Sequence, residues 1–257
     1  MTLVMGILNV TPDSFSDGGQ FLDPAKAIAR GIEMMEEGAT IIDVGGESTK
    51  PGVERVSMDE ELSRVIPVIH ALSKAGAMVS VDTMRAEVAA LAVASGARII
   101  NDVSGGQADE AMHATAAALK AQYICMHWRG QSKDMDALAV YDDVTTEVIA
   151  ELTKQVASAL LAGIEPTRLV IDPGLGFAKN AEQNWEILRN IDKFKELGFP
   201  ILVGGSRKRF LGGSNPLERE SASIALTTWL ATKDIWGVRT HTVKPHVDAI
   251  RTVGQIA

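Results

Sequence analysis

Polar residues crowd the positions where short apolar runs of the sequence end. They are Asn9, Asp43, Glu47, Asp82, Asn101, Asp102, His127, Asp172, Ser206, Lys208, Arg239 and His241. Four of them combine acceptors with amide and ammonium donors: Asp82, Asn101, Asp172 and Lys208. Such a set suits a flat heterocycle with amino and oxo edges, because a carboxylate accepts two parallel N–H bonds from an amino edge. Each of the four could equally be a turn or cap former, so the pattern alone leaves both interpretations open.

A second group of polar residues suits a small anion. The group consists of Arg239 and His241, of Asn9 and Thr49 opposite them, and of the run Ser206-Arg207-Lys208. The loop after the eighth strand is a common phosphate site in barrels of eight βα units. Arg207 and Arg209 could instead be solvated helix residues. No nucleophile, base and orienting residue form a triad that the spacing alone would identify.

Two kinds of segment alternate along the chain, and they indicate which strands and helices position these residues. Short β-branched or apolar runs predict eight strands: Leu3–Leu8, Thr40–Val44, Met78–Val81, Arg98–Ile100, Tyr123–Met126, Leu169–Ile171, Pro200–Val203 and Ile235–Arg239. Longer Ala/Glu/Lys-rich stretches with helical spacing lie between them, for example Ala181–Ile191. Strands that are apolar on both faces and alternate strictly with helices form a parallel sheet with right-handed crossovers.

Eight such units predict closure into one (β/α)8 TIM barrel, with residues 1–257 as a single domain. The alternative is an open doubly wound sheet, but the early G-x-G-x-x-G turn of that fold is absent from the sequence. In a barrel of this kind the active site lies at the C-terminal ends of the strands. The polar residues stand at those ends, so we expect them to share one site.

The composition excludes several classes of protein. Hydrophobic residues make up 46% of the chain and charged residues 23%, as in globular proteins rather than disordered or fibrous ones. The net charge of −8 disfavours bulk binding of nucleic acid or of an anionic membrane, so we expect neither as a partner. No run approaches the ~20 apolar residues of a membrane span, and the N-terminus lacks the positive region of a signal peptide. The lone Cys125 fits a reducing, cytoplasmic compartment, and with His127 alone it makes no zinc site.

Two long motifs resemble signatures of the dihydropteroate synthase family. The run MGILNVTPDSFSDGG begins at Met5, and IDVGGESTKPG begins at Ile42. Shorter matches follow in the order of the family: SVDT at Ser80, IND at Ile100, MH at Met126, DPGLGFAKN at Asp172, GSRK at Gly205 and RTH at Arg239. The long motifs are highly specific, and the resemblance covers essentially the whole chain.

The resemblance implies a (β/α)8 barrel and an enzyme of folate biosynthesis. Members of the family join 7,8-dihydropterin-6-ylmethyl diphosphate to 4-aminobenzoate, and they form 7,8-dihydropteroate and diphosphate. The resemblance also implies small-molecule substrates, Mg²⁺ as cofactor, a sulfonamide target and a cytoplasmic homodimer. The predicted helix over Ala222–Ala231 could supply a dimer contact, although its Trp229 could equally lie in the core.

The resemblance also implies roles for individual residues. The pterin would be held by Asp82, Asn101, Asp172 and Lys208, in a slot lined by Met126, Phe177 and Gly204. Arg239 would lie over the pterin ring and reach the diphosphate. The anion site would be completed by Asn9, Thr49 and His241, with Mg²⁺ bridging Asn9 and diphosphate oxygens. The aminobenzoate pocket would be shaped by Phe15, Pro51 and Ser206.

Two loops, Val10–Gly19 and Gly45–Gly52, would fold over the bound substrates and bring Asp17 towards the reacting centre. The residues taking part in the reaction would then be Asp17, Asp172, Lys208 and Arg239. Breaking the C–O bond leaves positive charge on the pterin methylene and negative charge on diphosphate, which Mg²⁺, Arg239 and His241 would stabilise. The amine of 4-aminobenzoate is a weak nucleophile, which favours attack on a carbocation-like centre over a concerted displacement.

The sequence departs from the family pattern at Lys50, where the family often has Arg, and this puts a bidentate anion contact in question. It also lacks the short extension that many members carry before the first strand. Two other functions stay open. A pterin-binding methyltransferase with a corrinoid partner would share the pterin acids but would not need the clamp formed by Ser206-Arg207-Lys208 and Arg239-Thr240-His241. An inactive pterin-binding barrel could serve as an assembly subunit, and the intact anion site argues against it.

Overall fold

The computed structural model describes residues 1–11, 23–47, 55–131, 135 and 137–256. Within these ranges lie eight strands: β1 (Leu3–Asn9), β2 (Ile41–Gly45), β3 (Val79–Asp82), β4 (Ile99–Asp102), β5 (Gln122–Met126), β6 (Leu169–Asp172), β7 (Leu202–Val203) and β8 (Gly237–Thr240). They pair in parallel in the order β6-β5-β4-β3-β2-β1-β8-β7. A parallel bridge between Ile171 and Ile201 joins β6 to the residue before β7. The sheet is therefore a closed ring, and the predicted (β/α)8 barrel is confirmed.

Helices fill the connections between the strands. The described ranges hold nine: α1 (Pro24–Glu36), α2 (Met58–Lys74), α3 (Ala86–Ala94), α4 (Met112–Leu119), α5 (Val144–Leu161), α6 (Ala181–Arg189), α7 (Ile191–Lys195), α8 (Glu220–Ala231) and α9 (Lys244–Ile256). Short 3₁₀ turns lie at Pro166–Arg168, Arg209–Leu211 and Pro216–Arg219. In this part of the chain, none of the helices combines the length and the apolar composition that crossing a bilayer would require.

The observed strands differ from their predicted bounds by one or two residues, and for two elements the difference has an identifiable local reason. The helix predicted over Ala181–Ile191 is divided at Asn190, whose side-chain amide donates to the Glu186 carbonyl at 2.9 Å and so competes with the backbone ladder. The seventh strand begins at Leu202 rather than at Pro200. Proline lacks the N–H that a ladder position needs, so regular pairing starts after it.

Side chains along each strand alternate between two cores. One cluster fills the inside of the barrel and consists of Met5, Ile41, Ile99, Ile124, Val170 and Leu202. Alternate residues of the same strands, such as Leu8, Val44 and Ile100, pack in the larger cluster between the barrel and the helices. Both faces of the strands are thus buried, which explains why their sequences are apolar on both faces.

Most of the inward positions one step further along the strands are polar or small, and Ile7 and Met126 are the apolar exceptions. Two residues beyond the inner cluster stand Asp43, Asn101, Met126, Asp172 and Gly204, and Asp82 and Arg239 have the same parity on β3 and β8. The apolar cluster is therefore the floor of a polar mouth. Asp102 and His127 have the opposite parity and lie between the barrel and the helices, so they are not residues of the mouth.

Candidate active site

Arg239 lies in the barrel mouth between two carboxylates. Its Nε donates to Asp43 Oδ2 at 2.6 Å, and its Nη2 donates to Asp82 Oδ2 at 2.6 Å. Asn101 Nδ2 donates to the same oxygen of Asp43 at 3.0 Å. Strands β2, β3, β4 and β8 thus contribute to one hydrogen-bonded group at the centre of the mouth.

The charges of this group determine its protonation. Burial and the charge of Asp43 raise the pKa of Asp82 to about 7, against the opposing charge of Arg239. Burial opposes the charge of Arg239 as well, but Asp43 and Asp82 outweigh it and raise the pKa of the guanidinium. Arg239 therefore stays cationic, and Asp82 titrates close to neutral pH.

Asp172 and Gly204 form the neighbouring part of the mouth. Asp172 Oδ1 accepts from the Gly174 N–H at 2.7 Å, which fixes the carboxylate. A Cβ at Gly204 would lie 3.7 Å from Asp172 Oδ2 and 4.0 Å from Arg239 Cβ. Gly204 therefore leaves open the place of a side chain beside the Asp172 carboxylate and the Cβ of Arg239, where a ligand could approach the backbone. Burial raises the pKa of Asp172, and the Gly174 N–H and the charge of Lys208 oppose the rise.

Lys208 and Phe177 lie together against the same segment. The Lys208 ammonium nitrogen is 4.1 Å from the centroid of the Phe177 ring and hydrogen-bonds to the Leu175 carbonyl. Gly176 makes this approach possible, because a Cβ there would lie 2.6 Å from Lys208 Cδ. Burial lowers the pKa of Lys208 to about 8, although the charge of Asp172 opposes the change. Lys208 is thus a half-buried cation with a nearby acid and an aromatic face.

Two of the residues predicted to complete the anion site are described, Asn9 at the end of β1 and His241 after β8. Asn9 and Asp82 flank Gly45, where a Cβ would lie 3.7 Å from Asn9 Oδ1 and 3.6 Å from Asp82 Oδ2. His241 follows β8, and its backbone N–H and its Nδ1 lie 3.2 and 3.1 Å from the hydroxyl oxygen of Ser206. Ser206 is buried behind His241, and its hydroxyl group is engaged there.

Two basic side chains near the anion residues, those of His241 and Arg207, supply less positive charge to the mouth than their residue types suggest. Burial and the charge of Arg239 lower the pKa of His241 to about 3, so its imidazole is neutral and contributes an N–H rather than a charge. Arg207 donates from Nε to Glu220 Oε2 at 2.6 Å. Its charge is therefore compensated by a carboxylate, as the charge of Arg239 is by Asp43 and Asp82.

Several predicted site residues lie outside the described residues: Phe15, Asp17, Thr49, Lys50 and Pro51. The two flanks of the segment 48–54 are described, and they meet. Arg55 Nε donates to Glu47 Oε2 at 3.1 Å, and Arg85 Nη1 lies 2.7 Å from Glu47 Oε1. Arg85 Nη2 also donates to the Val56 carbonyl at 2.6 Å. Arg85 thus contacts the described residues on both sides of this segment.

Sequence reasoning placed Asp43 at a strand end but gave it no role. The structure makes it a partner of both Arg239 and Asn101, and within the described chain its Oδ1 is buried without a hydrogen-bond partner. Its signal in the sequence is the step of two residues from Ile41, which gives it the same inward parity as Asn101.

Comparison with known proteins decides the family of this site. The sequence profile of the family described as "Pterin binding enzyme" matches residues 5–241. A dihydropteroate synthase of Mycobacterium leprae is 48% identical over 261 residues, which cover 98% of this chain and 92% of that protein. The chain belongs to the dihydropteroate synthase family.

Solved dihydropteroate synthases share the fold over almost the full chain. The enzyme of Xanthomonas albilineans with 4-aminobenzoic acid superposes with a TM-score of 0.93 at 41% identity, covering 99% of this chain and 93% of that one. The same enzyme in complex with 7,8-dihydropteroate gives a TM-score of 0.90 at 38% identity, with 99% and 93% covered. These likenesses confirm the family, the fold class and the dihydropteroate synthase activity predicted from the sequence.

Proposed function

We propose that this chain performs the condensation at the barrel mouth, with the dihydropterin ring above Gly204 between Asp172 and Arg239. The observation that carries the proposal is the missing side chain at Gly204, where a Cβ would lie 3.7 Å from Asp172 Oδ2 and 4.0 Å from Arg239 Cβ. A carboxylate on one side and a guanidinium over the ring match the amino edge and the π-face of a pterin.

The pterin edges would be read by residues of both kinds. Asp172 and Asp82 would accept from the amino and ring N–H groups, and Lys208 would donate to the oxo edge after leaving the Leu175 carbonyl. Asn101, already held by Asp43, supplies an amide on the same side. Met126 and Phe177 would form the apolar walls. Asp172 would also stabilise the positive charge that develops on the pterin as the C–O bond breaks.

The diphosphate would leave towards Arg239, His241 and Asn9. Among the described residues no group of three or more His, Cys, Asp or Glu side chains could hold a metal ion. Mg²⁺ keeps several waters and binds through one or two protein oxygens together with substrate phosphates, so the single amide oxygen of Asn9 fits such a role. When bound, the ion would neutralise charge on the diphosphate. The roles of Thr49, Phe15, Pro51 and Asp17 remain predictions for residues outside the described ranges.

The reaction would exchange one bond for another. The C–O bond to diphosphate breaks with its electron pair on oxygen, the amine nitrogen of 4-aminobenzoate bonds to the methylene carbon, and the amine then loses a proton. Arg239 supplies fixed N–H donors to the departing oxygens at no cost of reorganisation, because Asp43 already holds the guanidinium.

We also propose that the enzyme acts as a homodimer in the cytoplasm. The family resemblance and the single buried Cys125 support this setting. The predicted dimer helix corresponds to α8, in which Trp229 packs against the main core with part of its surface exposed. Light scattering across a concentration series tests the dimer, and an unchanging monomer mass would contradict it.

A diphosphate-release assay tests the proposed function. We expect release only when pterin diphosphate, 4-aminobenzoate and Mg²⁺ are all present, with 7,8-dihydropteroate as the coupled product. Methyl transfer to a corrinoid in place of diphosphate release would indicate the methyltransferase alternative. Pterin binding without turnover would indicate an inactive barrel.

A further inference from the structure

A buried ammonium lies outside the barrel, directly behind the wall of the proposed pterin slot. Lys179 Nζ donates to the carbonyls of Gly174 and Phe177, each at 3.0 Å, and lies 2.9 Å from His127 Nδ1. An ammonium group has three N–H bonds. Each of the three N–H bonds therefore has an acceptor within the protein, as a lysine with only 7% of its surface exposed requires.

His127 connects this ammonium to helix α5. Because Nδ1 accepts from Lys179, the ring proton stands on Nε2, which donates to Glu151 Oε2 at 2.8 Å. Glu151 also accepts from Arg129 Nη2 at 2.6 Å. Burial and the charge of Lys179 lower the pKa of His127 to about 4, so the ring is neutral and can act as the acceptor.

The segment that Lys179 holds has an unusual backbone and no regular ladder. Gly174, Gly176 and Ala178 have φ angles of 69°, 75° and 47°. Such a path leaves carbonyls that neither a helix nor a sheet satisfies, and a buried carbonyl needs a donor. The segment begins at Asp172 and carries Phe177. The Lys179 ammonium thus binds carbonyls of the segment that runs from the Asp172 carboxylate to the Phe177 ring, the two groups that line the slot.

A second contact ties the same region to the strand before it. The His127 N–H donates to the Asp172 carbonyl at 2.9 Å. Gly174 passes so close to His127 that a Cβ there would lie 2.4 Å from the His127 carbonyl oxygen. The backbone of residues 126–128 and the backbone of residues 172–174 are therefore packed together, and the Lys179–His127 contact lies at their junction.

We propose that Lys179 and His127 are positioning residues for the pterin slot, and that the Lys179 ammonium sets the places of the Asp172 carboxylate and the Phe177 ring through the carbonyls it binds. The proposal rests on the proposed function, since it takes Asp172 and Phe177 as the pterin side of the mouth. Both residues contact the segment that carries Asp172 and Phe177, so we expect their loss to affect pterin binding more than 4-aminobenzoate binding.

Lys179→Met tests the ammonium, because methionine keeps the unbranched shape and most of the length of the side chain and removes its donors. We expect the KM for pterin diphosphate to rise about tenfold, as two buried carbonyls lose their partner and the segment shifts. The KM for 4-aminobenzoate should stay within about twofold. The matched control is Tyr123→Phe, which removes a buried hydrogen bond to Asp102 of 2.8 Å on the outer side of the barrel and should lower stability alone.

His127→Asn and His127→Leu provide a second pair, which stays informative if Lys179→Met does not fold. Both variants lose the ring and the bond to Glu151, and both side chains are similar in size. Only asparagine keeps an acceptor near the position of Nδ1 for Lys179. We expect His127→Asn to bind 6-hydroxymethylpterin monophosphate several-fold more tightly than His127→Leu in calorimetry.

The parent enzyme is measured first, so that the two proposals are separated. Failure of the parent to release diphosphate would contradict the proposed function, while the calorimetric comparison of pterin binding would still report on Lys179 and His127. Three results would overturn the positioning role: pterin KM unchanged in Lys179→Met with only the melting temperature lowered, equal increases of both KM values, or equal pterin affinity in the two His127 variants.

Discussion

Arg239 Nε donates to Asp43 Oδ2 over 2.6 Å, although the two residues are 196 positions apart in the chain. The carboxylate is fully buried and the guanidinium is partly exposed, so Asp43 anchors a cation in the barrel mouth, where the proposed pterin slot lies. The pair defines which way the N–H groups of Arg239 point before substrate arrives. A group aimed in advance is the kind that lowers an activation barrier.

Asp43→Asn should therefore lower kcat more than it raises the KM for pterin diphosphate. The amide keeps the shape of the side chain but removes the charge that holds Arg239, and we expect kcat to fall about tenfold or more. Asp102→Asn is a matched control, because Asp102 is equally buried but lies on the outer side of β4. The control should lose stability and keep its kinetics. Equal kinetic effects in both variants would contradict the anchoring role.

Asp172→Asn should weaken pterin binding. The replacement places an NH2 donor where the pterin amino edge also donates, and it removes a negative charge next to Lys208. An unmatched buried polar pair costs about 1–3 kcal/mol. Calorimetry with the pterin ligand measures the change. Affinity within about twofold of the parent would show that Asp172 serves only to hold the turn at Gly174.

Arg239→Ala should cost more activity than His241→Ala. Loss of a preorganised donor typically lowers the rate by about 10²–10³. The imidazole of His241, with its pKa lowered to about 3 by burial and Arg239, is neutral and contributes one N–H. Raised Mg²⁺ should rescue neither variant fully, because an ion cannot replace directed N–H bonds. If Arg239→Ala keeps full kcat and only melts earlier, strand β8 is not the leaving-group side.

The stability of the protein should depend on pH through His127. Burial and the charge of Lys179 hold the pKa of His127 at about 4, whereas an imidazole in an unfolded chain titrates near 6.5. Between these values the unfolded chain binds more protons, so stability present above about pH 6.5 is lost as the pH falls towards 4. Urea denaturation from about pH 7 to about pH 4 measures this as the difference between the parent and His127→Asn. An identical decline in the variant would assign the loss to other groups.

The alternation of inward and outward residues explains how far the sequence could lead. A period of two along eight strands places Asp82, Asn101, Asp172 and Arg239 in one mouth without further information. The same period places Asp102 and His127 on the outer face of their strands. A polar residue at a strand end does not itself show which face it occupies, so this separation becomes visible only when the inward positions of each strand are assigned. The barrel and its mouth were therefore predictable from the sequence.

The contacts that organise the mouth were not predictable in this way. Lys179 meets His127 across 52 positions, and its three acceptors depend on a backbone path through Gly174, Gly176 and Ala178. A lysine after a glycine-rich turn is ordinarily read as a solvated residue. Burial that comes only from tertiary packing leaves no periodic trace in the sequence, so neither this ammonium nor the Asp43 pair has a local signature.

The ring of strands is not uniform in strength. β6 and β7 meet through the bridge between Ile171 and Ile201, whereas β1 and β2 share five paired positions. Asp172 and Gly204 stand on the two sides of this seam, while Asp43 lies on β2, whose ladder with β1 has five pairs, and Arg239 lies on β8, whose ladder with β1 has four. The charge pair is thus carried by strands that are well joined to each other, and we expect any separation of strands around a flat ring to begin at the seam between β6 and β7.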